Sequence, residues 1–166
     1  MDSIRQFLTD DHRRLDALLD RTGECRTADE LAAYDQFRRG ILNHIGIEEK
    51  ILLTAAARLH GSPLEQAARL RLDHGAIVSL LMPIPTPSIV RAIRTVLAAH
   101  NPVEEGPDGV YAICEKLAGL EHEELMAKIL AAPEVPTNAN ATSPRILDAA
   151  RHALSRAGYD PALLDG

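Results

Sequence analysis

Apolar residues recur at steps of three and four along four successive segments, and each of these stripes carries a histidine. That period puts positions i, i+3, i+4 and i+7 on one face of a helix. Four such faces must be buried against one another, so the pattern predicts helix packed on helix. Aromatic residues make up only 3% of the chain, which leaves Leu, Ile, Val and Ala to build the core. That palette suits helices better than sheets.

Ser3 can cap a first helix running to about Arg21, with the stripe Ile4, Leu8, His12, Leu15 and Leu19. Thr27 and Glu30 form a capping-box pattern, which predicts a second helix running to about Leu59 and ended by Gly61. Its stripe reads Tyr34, Phe37, Ile41, His44, Glu48, Ile51, Ala55 and Leu59. Ser62, Pro63 and Glu65 signal a third start, with the stripe Leu64, Ala67, Leu70, His74, Ile77 (or Val78) and Leu81. A fourth helix starts near Pro87 and carries Ile89, Ile93, Val96, His100, and Val103 or Glu104. Gly106, Pro107 and Gly109 interrupt it, and helical character resumes through Val110, Tyr111, Cys114, Leu117, Leu125 and Ile129. Pro133 to Ser143 reads as an irregular linker, followed by a short amphipathic helix capped by Ser143 and ended by Gly158. The expected architecture is all-α: an up-and-down four-helix bundle over residues 1–131, with a linker and an additional short C-terminal helix packed on it over 132–166.

The second and fourth stripes each contain HxxxE, His44/Glu48 and His100/Glu104, while the first and third contribute His12 and His74. Residues four apart stack on one helical face, so both members of each pair point inward. An ionised carboxylate in an apolar interior costs several kcal/mol even after relaxation. No Lys or Arg at matching depth on the stripes pairs with both glutamates. Metal ions supply the missing positive charge, and four imidazoles with two carboxylates suit two first-row transition ions better than Ca²⁺ or Mg²⁺. Iron, manganese and zinc all remain open on spacing alone. His60, His122 and His152 fall at a helix end, in the polar run EHEE and off an apolar stripe, and are expected to be non-ligands.

The segments DDHRRLDALL, NHIGIEEKILL, LDHGAI and AHNPVEEG together resemble the hemerythrin-like, or HHE cation-binding, domain family. The resemblance covers about residues 1–131. It implies a four-helix bundle holding two iron ions (with manganese or zinc as alternatives) and a bridging oxo or hydroxo group. His12 and His44 would ligate one ion, His74 and His100 the other, with Glu48 and Glu104 bridging. With a solvent-derived bridge each ion would have five ligands, so six-coordination would leave each an open position for a small diatomic ligand or peroxide.

Three departures bear on function. Oxygen-carrying hemerythrins have a second histidine four residues after the one in the third helix, where this chain has Val78. The family continues its second HxxxE as EExxLYP, whereas Tyr111 comes two places late here. Pro102 lies between His100 and Glu104, disfavours helix at Asn101 and makes Glu105 a rival ligand. The count of four His and two Glu instead resembles the HHE proteins linked to iron sensing, NO or peroxide response and repair of iron–sulfur centres; that resemblance implies a protein that binds, senses or reacts with O₂, NO or peroxide, or handles iron, rather than an oxygen carrier. The alternatives are a histidine phosphotransfer or other interaction module, and a structural zinc site.

Neighbouring residues carry softer expectations. Asp11 and Asp73, each just before a stripe histidine, are candidates to support neighbouring helices, with surface solvation as the preferred reading; Glu49 is read as solvated. Tyr34 and Tyr111 either line the site or pack structurally, and Cys114 reads as a buried, inert thiol. The net charge of −6 argues against nucleic-acid binding. No segment is apolar enough to span a membrane or to serve as a signal peptide, and Cys25 and Cys114 form no CxxC, so a cytoplasmic protein is expected.

Overall fold

The computed structural model describes residues 3–137 and 140–165, and the residues described are overwhelmingly helical. Asn138 and Ala139 of the expected linker lie outside the described residues. Helix α1 spans Ile4–Asp20, and the Ser3 hydroxyl accepts from the Gln6 amide at its start. Helix α2 spans Ala28–Ile47 and opens on the full capping box of Thr27 and Glu30. A single π-helical turn, Glu48–Leu52, joins it to α3, Leu53–His60, which ends at Gly61 with φ +87°. Helix α4 spans Ala67–Leu80, α5 Pro87–Glu105, α6 Val110–Ala118, α7 His122–Leu130 and α8 Pro144–Arg156. Among the described residues there is no β-strand, only an isolated bridge between Pro83 and Ala141. No helix there is long and apolar enough to cross a membrane.

The buried apolar side chains form two clusters. One gathers Leu15, Phe37, Ile41, Ile77, Ile93 and their neighbours, and the other Ile4, Leu8, Leu52, Leu70, Tyr111 and theirs. Along α1 the chain passes from the second cluster to the first, along α2 back to the second, along α4 to the first and along α5 back again. His12, His44, His74 and His100 each fall at the crossing. Gly40 allows α1 and α2 to approach closely, because a Cβ there would stand 2.6 Å from Leu15 Cδ2. Helix α8 packs along α4 and adds Ala150 and Leu154 to the first cluster.

Several boundaries differ from the sequence reading. The π turn adds one residue to a helix that periodicity treats as uniform. The buried stripe therefore shifts from Ile51 and Ala55, which are half-buried, to Leu52 and Ala56. Helix α4 begins at Ala67 rather than at Pro63, after a turn that buries Leu64. Helix α5 continues through Pro102 to Glu105. The carbonyl that Pro102 leaves unpaired belongs to Ala98 on the exposed face, where water can satisfy it. The segment after Gly109 is not one helix: Gly119, at φ +46°, divides α6 from α7. Ser143 precedes α8 but its side chain makes no capping hydrogen bond.

Candidate metal centre

Between the two apolar clusters lies a polar layer. Helix α1 supplies His12, α2 His44, the π turn Glu48, α4 His74, and α5 both His100 and Glu104. None of the six is more than 3% exposed. Their donor atoms form two groups, His12–His44–Glu48–Glu104 and His74–His100–Glu48–Glu104, within each of which all atoms lie within 4.8 Å of one another. Each could hold a metal ion.

Both glutamates belong to both groups, and each turns one oxygen towards each side. Glu48 Oε1 is 3.2 Å from His44 Nε2, and its Oε2 is 3.1 Å from His74 Nε2. Glu104 Oε1 is 3.1 Å from His100 Nε2, and its Oε2 is 3.5 Å from His12 Nε2. Pro102 therefore does not disturb the register: Glu104 faces inward and Glu105 does not.

A second set of acids surrounds the histidines. Nδ1 of His12 is 2.5 Å from Glu105 Oε1, and Nδ1 of His44 is 2.8 Å from Asp11 Oδ2. Nδ1 of His74 is 2.7 Å from Glu49 Oε1, and Nδ1 of His100 is 3.3 Å from Asp73 Oδ2. The contacts form a closed ring. The acid beside each stripe ligand reaches the histidine of the next helix, from α1 to α2, from the π turn to α4, from α4 to α5, and from α5 back to α1. A carboxylate accepts from Nδ1–H, which leaves the Nε2 lone pair free to face the interior.

This corrects three expectations. Asp11, Asp73 and Glu49 are not merely solvated; Asp73 is fully buried and also accepts from Tyr159 and Arg69. The signal was present as DH at 11–12 and 73–74 and EE at 48–49 and 104–105. Their partners lie on other helices, which a one-helix stripe cannot show. Tyr111 lines the site, its hydroxyl lying between both glutamates, whereas Tyr34 packs under Arg38 in the first cluster, 4.9 Å from ring to guanidinium. His60, His122 and His152 belong to neither donor group.

The electrostatics express the crowding of six ionisable groups in a dry layer. Burial alone would lower the histidines, but the surrounding carboxylates outweigh it. They raise His44 to about 10, His74 to about 11 and His100 to about 9. Glu48 is held well below its ordinary value, because the His44 and His74 imidazoles outweigh its burial. Burial, with Glu48 and Glu104, pushes the Cys114 thiol up to about 12.

Two contacts test the fit of a cation. Glu48 Oε2 is buried and accepts no hydrogen bond, although His74 Nε2 is near it. His74 Nε2 and His100 Nε2 face each other at 3.2 Å. With both Nδ1 atoms donating outward, two lone pairs converge unless a proton or a metal ion lies between them. The donor set and the orphaned oxygen both fit a metal cation. No family model, no curated protein and no solved structure matches this chain.

Proposed function

We propose that the chain is a hemerythrin-like metal-binding protein, an up-and-down four-helix bundle built from α1, α2 with α3, α4 and α5, with α8 as an added helix. Its polar layer holds a non-haem di-iron centre, with manganese or zinc as the competing occupants. The protein binds, senses or reacts with a small molecule such as O₂, NO or peroxide, or handles iron. The observation that carries this reading is the sharing of Glu48 and Glu104 between two donor groups, one oxygen towards each. Carboxylates so placed would hold two cations and offset charge on both.

When bound, the ions supply Lewis acidity and redox capacity that no side chain here has. The chain itself orients the donors. Glu105, Asp11, Glu49 and Asp73 fix the four imidazoles so that Nε2 points inward, and the apolar clusters on either side exclude water. Burial of all four cluster histidines counts against phosphotransfer, which needs an accessible imidazole.

The test is direct. The full chain is purified aerobically from iron-supplemented cells, and its metal content and near-ultraviolet spectrum are measured. About two irons per chain with oxo-bridge charge-transfer bands are expected. Colourless protein with zinc would move the reading to a structural site. Metal-free protein whose stability does not change on adding iron would overturn it.

A further inference from the structure

The Tyr111 hydroxyl is centred on one of the two donor groups. It lies 3.2 Å from His12 Nε2, 3.0 Å from His44 Nε2, 2.5 Å from Glu48 Oε1 and 3.1 Å from Glu104 Oε2. Among the described residues, no hydrogen bond of this hydroxyl reaches His74 or His100. The two groups share their glutamates yet differ in this one side chain.

The ring cannot leave. Tyr111 has no exposed surface and sits in the second apolar cluster with Ile4, Leu52 and Cys114. The turn before α6 packs closely on the end of α5, where a Cβ on Gly109 would clash with the Glu104 carbonyl oxygen. A cation seated among His12, His44, Glu48 and Glu104 cannot share the space of the phenol oxygen. With the ring held, a small displacement leaves that oxygen beside the ion. A phenolate is a hard oxygen donor of the kind that ferric iron takes.

Resting on the di-metal reading above, we propose that Tyr111 is a fifth protein ligand for the ion held by His12, His44, Glu48 and Glu104. The two ions are then inequivalent, and the His74–His100 ion is the one left open to an external small molecule. In the step that forms the bond, the phenol O–H breaks, the oxygen bonds to iron(III) and the proton leaves to water. Any iron(II) is first oxidised by ferricyanide, which takes one electron per ion, and forming the phenolate bond to iron(III) transfers no electron.

The experiment uses the full chain loaded with iron and oxidised with ferricyanide. Metal content reports on the di-metal reading, and visible absorption with resonance Raman reports on tyrosinate. The expected result is a tyrosinate-to-iron band with ring modes in the wild type, and loss of both in Tyr111→Phe, which still holds about two irons. Two irons without a tyrosinate signature would overturn the Tyr111 assignment while sparing the centre, and so would a signature that survives in Tyr111→Phe. A chain that binds no iron overturns both. The chain has three tyrosines. Should Tyr111→Phe not fold, Tyr34→Phe and Tyr159→Phe decide by elimination: both must keep the band, and its loss in either overturns the proposal.

Discussion

Glu105 reaches back from the end of α5 to His12 near the start of the chain, its Oε1 2.5 Å from Nδ1, while the adjacent Glu104 turns inward to face His100. One residue thus separates a group that can touch a metal from one that orients the imidazole touching it. Substitutions should separate the two roles. Glu104→Gln is expected to lose at least one ion per chain. Glu105→Gln and Glu49→Gln should keep both ions at saturation but weaken them roughly 10- to 100-fold, the usual cost of losing a histidine's outer carboxylate. Competition with a chelator measures this, and a greater loss in Glu105→Gln than in Glu104→Gln would show the assignment after Pro102 to be reversed.

Histidine variants give an internal control. His74→Ala removes a donor from one group and should lose at least one ion, whereas the exposed His152 belongs to neither group and its alanine variant should lose none. Metal analysis of both, purified side by side, decides; equal retention would refute the ligand set.

The metal-free chain should have a distinctive pH profile. His44, His74 and His100 are raised above their ordinary value of about 6.5, so their contribution is full below that value and fades as pH rises through about 9 to 11. Glu48, Glu49, Asp11 and Asp73 are lowered, so theirs is present above about 4 and lost as pH falls. Urea melts of chelator-stripped protein should show stability falling from neutral towards alkaline pH; a rise between pH 7 and 9 would contradict the assignment. Ligation requires neutral imidazoles, so metal binding near pH 7 should release protons, read by calorimetry in buffers of different ionisation enthalpy.

Cys114 should be silent towards thiol reagents. It is buried and its thiol is pushed up to about 12, whereas Cys25 is partly exposed. Alkylation of the native chain at pH 8 followed by mass mapping should mark Cys25 alone, with Cys114 reacting only in denaturant. Modification of both in native protein would show that the layer around Tyr111 opens readily.

The six inward donors were legible because each lies on an apolar stripe, and helical period alone fixes which way such a residue points. What surrounds them was legible only as an alternative for Asp11 and Asp73, without their partners. Asp11 backs His44 and Asp73 backs His100 across helix interfaces, and no single helix contains that information. The π turn was hidden for a different reason. Glu48–Leu52 has no composition that marks it, and its effect, moving burial from Ile51 to Leu52, needs the partner helices in place. It also brings Glu49 within reach of the imidazole that Glu48 touches from the other side. Pro102 misled in the opposite direction, since the defect it creates faces solvent.

The layer of histidines and glutamates divides the apolar interior in two, with each of α1, α2, α4 and α5 crossing from one side to the other. In the metal-free chain the seam is held by the attraction between His44, His74 and His100 and the carboxylates around them, which acid or alkali loosens. Two ions there would rivet the halves together, so loading governs whether the molecule melts as one cooperative body or comes apart at its waist first.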